Sequence, residues 1–286
     1  MGGRDSEEAA RPRPGVYEHG LNSQAFPMDP LHNPFKRALK SGKLQLGLWH
    51  SLSSHLVAEI LADAGFDWIL LDTEHAPNEL PMVLAELQAM SGGTAHAVVR
   101  PAWNDPVIIK RLLDIGAQSL LIPYVETEEE ARRAVMSVRY PPEGFRGFAG
   151  QARASRYGRI KGYHAAANAG ICLLLQVETK RGLDNLEAIA SVEGVDGVFI
   201  GPGDLSAALG YLGQPNHPDV IKIIDDMIPR IKNAGCAPGI LTGDAELAQH
   251  YIDRGCLFAA VGSDIGLLAR GADQLAAKFK GQNSGR

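Results

Sequence analysis

The sequence predicts a (β/α)8 barrel, and three observations carry that prediction. Eight short apolar runs recur along the chain, segments of helical period lie between most of them, and helix ends repeatedly show a Gly just before the next run. Regular strand–helix alternation marks a parallel sheet, which closes into a barrel when the unit repeats eight times. The 286 residues suit one such domain or two ordinary ones. A doubly wound open sheet is the competing architecture, but no G-x-G-x-x-G follows the first strand.

The eight runs are LQLGLW (44–49), WILLD (68–72), AHAVVR (95–100), SLLIPYV (119–125), ICLLLQVE (171–178), GVFIG (197–201), APGIL (237–241) and LFAAVG (257–262). Each has strand length and is rich in β-branched residues or leucine, as strands buried on both faces require. Between them, 53–65 opens with a Ser N-cap candidate and stops at a Gly. Residues 104–116 repeat that grammar with Pro106 in the first turn, and 127–138 open on Thr127 and three glutamates, suited to a helix N-terminus. Residues 217–235 and 244–255 complete the helical set, and DAGFD, DIGAQ, NAGCA and DRGCL mark helix-to-strand junctions. A long insertion, 140–170, separates the fourth helix from the fifth strand, and a loop of that length in a compact domain is usually functional.

Residues 1–30 are polar, with Pro and Gly and no apolar period, and read as a loosely attached extension. They contain no secretory h-region, and Asp5, Glu7 and Glu8 argue against a transit peptide. The barrel domain is expected over 31–280, with a polar tail at 281–286. The chain is 45% hydrophobic and 21% charged with net charge −5, which gives no basic footprint for nucleic acid. No apolar run approaches a membrane span. Cys172, Cys236 and Cys256 are widely spaced, so they read as small core residues of a cytoplasmic protein rather than a disulfide framework or zinc site.

Catalytic residues of a barrel sit at the C-terminal ends of its strands. Those ends carry Trp49 and His50, then Asp72 with Glu74 and His75, Arg100, Gln176 and Glu178, Asp204, and finally Ser263 and Asp264. Glu178 and Asp204 both close apolar strands, and two carboxylates in one pocket need a proton or a cation between them; hard oxygen ligands suit Mg2+ or Mn2+. The alternative is two unrelated surface carboxylates. Asp72 beside His75 could fix the tautomer of a general base, or Asp72 could cap the following turn beside an ordinary loop histidine. Arg100 needs an anionic partner, which could be a substrate carboxylate, a developing oxyanion, or Asp72 or Glu74 in a structural pair. GPGDLS (201–206) could hold a carboxylate on backbone N–H groups, with Gly203, Asp204 and Leu205 as the substrate-binding positions, or could be a tight turn. A cation, a base and an arginine in one mouth suggest proton abstraction beside a polarised carbonyl.

With these residues in view, the chain resembles the metal-dependent (class II) pyruvate aldolases of the 4-hydroxy-2-oxoheptanedioate and 2-keto-3-deoxy sugar acid aldolase family. The resemblance covers about residues 34–275 and rests on AEILADAGFDWILLDTEHAP, VRPAWNDPVIIKRLLDIGAQSLLIPYVET, YPPEGFRGFAG with RASRYGR, LLLQVET and VDGVFIGPGDLSAALG. It implies a homohexameric barrel that cleaves a 4-hydroxy-2-oxo acid to pyruvate and an aldehyde through a metal-bound enolate, in aromatic or sugar acid catabolism. It implies Mg2+, Mn2+ or Co2+ on Glu178 and Asp204, Arg100 at the oxyanion, and Asp72 and His75 in proton transfer. Gln176 would lie near metal and substrate, and Trp49 would line the pocket. The chain departs from that family at His50, where a small or apolar residue is common, and at Ala76, where Gly is common. Malyl-CoA or citramalyl-CoA lyases are the competing enzyme class, and a degenerate scaffolding barrel is the non-enzymatic alternative.

Overall fold

All eight apolar runs form parallel strands, each paired with the next until β8 returns to β1 and closes the barrel. The computed structural model describes residues 32–283, so the extension expected over 1–30 lies outside the described residues. The strands are β1 (Gln45–His50), β2 (Trp68–Asp72), β3 (His96–Arg100), β4 (Ser119–Ile122), β5 (Cys172–Val177), β6 (Gly197–Ile200), β7 (Ala237–Leu241) and β8 (Phe258–Ser263). β4 ends three residues earlier than expected because Pro123, lacking an N–H, cannot extend the ladder.

The helices are α1 (Pro34–Lys40), α2 (His55–Ala62), α3 (Leu80–Ala89), α4 (Pro106–Asp114), α5 (Glu128–Val138), α6 (Tyr163–Gly170), α7 (Lys180–Asp184), α8 (Leu186–Ala190), α9 (Pro202–Ala208), α10 (Pro218–Asn233), α11 (Ala245–Asp253) and α12 (Asp264–Asn283). Thr127 and Glu130 form the capping box of α5. Ser54 stands at the N-cap of α2 without a side-chain cap bond. Gly65, Gly116, Gly235 and Gly255 all have positive φ, the left-handed stop expected at those four junctions. α12 runs through Asn283, so the first residues of the tail expected at 281–286 are helical.

Alternation along the strands separates two apolar layers. Trp49, Trp68, Leu70, Val98, Leu174, Phe199 and Phe258 fill the barrel interior. Leu48, Ile69, Leu71, Val99, Leu120, Leu173 and Val198 pack outward under the helices. Gly47 faces inward, and a Cβ there would collide with the Trp68 indole, so the glycine makes room for that ring. α1 closes the N-terminal end of the barrel: Phe35 and Leu39 enter the interior cluster, and Lys36 Nζ donates to Ile171 O at 2.6 Å and pairs with Asp196 at 2.9 Å.

The 140–170 insertion, a candidate functional loop by its length, has a defined place in the fold. It follows a helix and precedes a strand, so it lies at the end of the barrel away from the catalytic mouth. Arg153 Nη1 donates to Ile115 O at 2.7 Å and Arg146 pairs with Asp114 at 3.0 Å, which docks it on the α4–β4 junction. Tyr140, Ala154, Tyr163 and Ala167 give it a small core of its own, so its length does not bring it to the mouth of its own barrel. α12 departs from the barrel pattern: past its first turn it leaves Leu267, Leu268, Leu275 and Phe279 exposed. Among the described residues no helix is long and apolar enough to cross a membrane. The three cysteines are free and buried, as expected.

Candidate active site

Strand alternation decides which polar side chains reach the mouth. Trp68 and Leu70 point inward, so Asp72 does too; Val98 brings Arg100 inward, and Leu174 brings Gln176. β2 and β3 pair Asp72 with Arg100 directly. Arg100 Nε and Nη2 donate to the two Asp72 oxygens at 2.9 and 2.8 Å, and Nη1 stands 2.7 Å from Glu74 Oε2 as an ion pair. The guanidinium also lies over the Trp49 ring, 4.9 Å from its centroid, while Trp49 Nε1 donates to Asp72 Oδ2 at 3.2 Å. A guanidinium has five N–H groups, so two remain for a ligand.

Asp72 does not hold the His75 imidazole. Its Oδ1 accepts the main-chain N–H of Glu74 at 3.0 Å and of His75 at 3.4 Å, so it caps the turn. The His75 side chain is 61% exposed, and its Nε2 comes no closer to an acid than 3.9 Å from Glu74 Oε1. The expected Asp72–His75 dyad is therefore absent within this chain, because Arg100 and Trp49 already engage both carboxylate oxygens. Burial works against the Asp72 charge, but Arg100, the turn N–H and Trp49 hold its pKa below the ordinary value. Burial, opposed by Arg100 and reinforced by Asp72 and Asp204, pushes Glu74 up to about 7.

The opposite side of the mouth comes from β5 and β6. Gln176 Nε2 donates to Glu178 Oε2, while Gln176 Oε1 is buried without a hydrogen-bond partner. Gly201 passes so close that a Cβ would collide with Glu178 Oε2. Burial first, and then the charges of Glu74 and Asp204, push Glu178 up to about 7 despite the Gln176 and Tyr124 hydrogen bonds. Asp204 sits in the first turn of α9. Tyr124, which sequence reasoning missed, touches both acids: its N–H donates to Glu178 Oε1 and its hydroxyl to Asp204 Oδ1, each at 3.0 Å.

Of the other expected substrate positions, Gly203 has open space where a side chain would be. Leu205 is fully buried in the layer under the helices, and its N–H donates to Gly201 O at 3.0 Å, so neither group is offered to a ligand. A residue one step past Asp204 on a helix turns by about 100° and meets the core instead of the mouth. His50 follows inward-facing Trp49 and so points outward. It is fully buried between Asp264, 2.6 Å from Nδ1, and Glu86, 3.0 Å from Nε2. Asn78 Nδ2 donates to the other Glu86 oxygen at 2.9 Å, and Asp264 also accepts from Ser51 N and Leu52 N, at 3.0 and 3.1 Å. This network ties the loops after β1, β2 and β8 together.

Among the described residues no three His, Cys, Asp or Glu side chains gather to hold a metal ion. Glu178 and Asp204 nevertheless fit a hard divalent cation. Mg2+ commonly takes only one or two protein carboxylates and fills the remaining positions with water and substrate oxygens. The unpartnered Gln176 Oε1 and the raised Glu178 carboxyl mark a pocket in which positive charge is wanting.

Comparison with known proteins places the chain in a family. The family model for HpcH/HpaI aldolase/citrate lyase matches residues 45–271. The chain is similar to a pyruvate aldolase of Rhizobium etli, 56% identical over 247 residues, covering 86% of this chain and 97% of that protein. It is also similar to a 4-hydroxy-2-oxo-heptane-1,7-dioate aldolase of Klebsiella pneumoniae, 55% identical over 250 residues, covering 87% and 94%. The crystal structure of an HpcH/HpaI aldolase/citrate lyase family protein from Burkholderia cenocepacia superposes with a TM-score of 0.84 at 39% identity, covering 87% of this chain and 99% of the other.

Proposed function

The chain belongs to the HpcH/HpaI aldolase/citrate lyase family, and from that premise we propose that it reversibly cleaves a 4-hydroxy-2-oxo acid to pyruvate and an aldehyde. 4-Hydroxy-2-oxoheptanedioate is the first candidate substrate, because it is the one that the name of the Klebsiella relative states. The observation that carries the proposal is the division of the mouth: Arg100 with free N–H groups faces a neutral-donor pocket built around Glu178 and Asp204.

A divalent cation on Glu178 and Asp204, Mg2+, Mn2+ or Co2+, would act as a Lewis acid toward the 2-oxo group. The protein groups do the rest. Trp49, buried under the Arg100 guanidinium, walls the pocket and limits water. His75, exposed and not held by Asp72, takes the proton of the C4 hydroxyl. The C3–C4 bond then breaks, its electron pair forming the enolate of pyruvate while C4 becomes the aldehyde carbonyl. The two remaining Arg100 N–H groups stabilise the oxyanion. Return of a proton to C3 gives pyruvate. No lysine is required, because no Schiff base forms.

We further infer a homo-oligomer, with the hexamer implied by the resemblance as the expected size. The exposed leucines and Phe279 of α12 support it, since a long helix with an apolar face in water calls for a partner. Analytical ultracentrifugation tests it. The activity is tested by pyruvate release from racemic 4-hydroxy-2-oxoheptanedioate coupled to lactate dehydrogenase, with EDTA and with Mn2+ or Mg2+ restored. Metal-restored turnover is expected. Metal binding without turnover on 4-hydroxy-2-oxo acids would overturn the substrate class and make acyl-CoA esters the next assay.

A further inference from the structure

Tyr124 has a backbone that its residue type disfavours. Its φ is +54°, in the left-handed region where bulky side chains are outliers. Such conformations persist where the surroundings over-determine them, and they cluster at functional sites. The surroundings here are specific. Directly after β4 and Pro123, this turn aims the Tyr124 N–H at Glu178 Oε1 and carries the phenol to Asp204 Oδ1, both at 3.0 Å. The ring stacks on Trp103 from the β3–α4 connection, with centroids 5.6 Å apart and planes 29° apart. One residue thus joins the connection after β3 to the acids of β5 and α9.

From this geometry we propose that Tyr124 is a positioning residue for the cation site, its N–H fixing Glu178 and its hydroxyl fixing Asp204 so that both carboxylates are oriented before the cation arrives. The inference rests on the reading that Glu178 and Asp204 hold the cation. Two carboxylates aimed at one point repel and would otherwise splay toward water. A hydrogen bond from outside the ligand set holds such a group in place, and its removal typically lowers metal affinity about 10- to 100-fold.

The test is Mn2+ binding to the intact protein, followed by loss of the EPR signal of free Mn2+. Tyr124→Phe keeps the ring, the Trp103 stack and the main-chain N–H and removes only the hydroxyl. Its dissociation constant should rise at least about tenfold, and the Mn2+ concentration that gives half-maximal turnover should rise by the same factor. A purely structural role would lower turnover without moving that concentration. Tyr124→Gly relaxes the left-handed backbone while keeping the N–H, so it should lose at least as much affinity despite an easier fold. Unchanged or tighter Mn2+ binding in Tyr124→Phe overturns the proposal, as does a loss confined to Tyr124→Gly, which would assign the effect to the ring. Glu178→Gln in the same titration separates the two readings. If it binds Mn2+ like the parent, the ligand assignment itself fails; if it loses binding while Tyr124→Phe does not, only the positioning role fails.

Discussion

Both ring nitrogens of His50 face carboxylate oxygens, at 2.6 Å from Asp264 and 3.0 Å from Glu86, with the imidazole fully buried. A carboxylate that is ionised only accepts hydrogen bonds, so two ionised partners put a proton on each nitrogen and make the ring an imidazolium. Burial opposes that charge, but the hydrogen bonds and charges of Asp264 and Glu86 outweigh it and raise the pKa from 6.5 to about 9. By linkage this is worth about 3 kcal/mol of folding stability. The folded chain holds the proton more tightly, so the stabilisation is complete below pH 6.5 and is lost as the pH rises through about 9. Between about pH 7 and 8.5, roughly 2 kcal/mol should disappear. The three buried thiols, all raised above 9, act at higher pH, and Glu74 and Glu178, near 7, act at its lower edge. The assay is urea unfolding across that interval at fixed protein concentration, parent against His50→Gln, which keeps an amide donor but no charge. The parent should lose its advantage by roughly that amount as the pH rises. Equal slopes for the two proteins, or a 15N-histidine spectrum in which every ring has an unprotonated nitrogen at pH 8, would refute the buried imidazolium.

Three further outcomes are expected. Because Glu178 is raised to about 7 by burial and by neighbouring acids, Mn2+ must displace a proton below that pH; calorimetry should show affinity falling about tenfold per pH unit below 7 and levelling above it. Arg100→Lys removes the paired donors to Asp72 and should lower kcat by about 100- to 1,000-fold with Mn2+ affinity largely kept, whereas a rise in KM at unchanged kcat would remove Arg100 from the oxyanion role. Leu205→Ala should cost about 2–5 kcal/mol of stability through a core cavity while leaving the KM for the oxo acid near the parent value, and a large KM effect would restore Leu205 to the substrate site.

The strands were legible because both faces are buried, so each reads as an unbroken apolar run. Asp72, Arg100 and Gln176 were legible because a polar residue ending such a run has to leave the core at the barrel mouth. His50 closes the same run as Trp49, but neighbouring strand residues cannot share a face, so strict alternation sends it outward, away from the mouth. Its partners Glu86 and Asp264 lie far along the chain, and no local pattern announces that contact. Tyr124 lies inside an apolar run of strand length, yet Pro123 marks the strand end and leaves the tyrosine free to turn. α1 is short, and its signal was the Asn33–Pro34 start with Phe35 and Leu39 one turn apart.

The division of charge across the mouth gives a bound oxo acid its direction. On the β2–β3 side, Arg100 is matched by Asp72 and Glu74, and its positive charge is already compensated. What it adds for a ligand is hydrogen bonding from its two remaining N–H groups, which suits an oxyanion that forms and decays during turnover rather than a permanent anion. On the β5–β6 side, among the described residues, Glu178 and Asp204 receive neutral donors, from Gln176, the Tyr124 N–H and the Tyr124 hydroxyl. Hydrogen bonds from neutral groups soften two neighbouring negative charges but do not cancel them. The uncompensated charge therefore lies on the β5–β6 side, which supports the proposed cation there, and the carboxylate and oxo oxygens of the substrate would go with it. On the proposed reading the C4 hydroxyl would then meet the loop after β2, where the His75 side chain is 61% exposed and 3.9 Å from Glu74 Oε1. A neutral glutamine at position 178 would remove the asymmetry without disturbing Arg100, so its loss of activity should come with intact Arg100–Asp72 pairing.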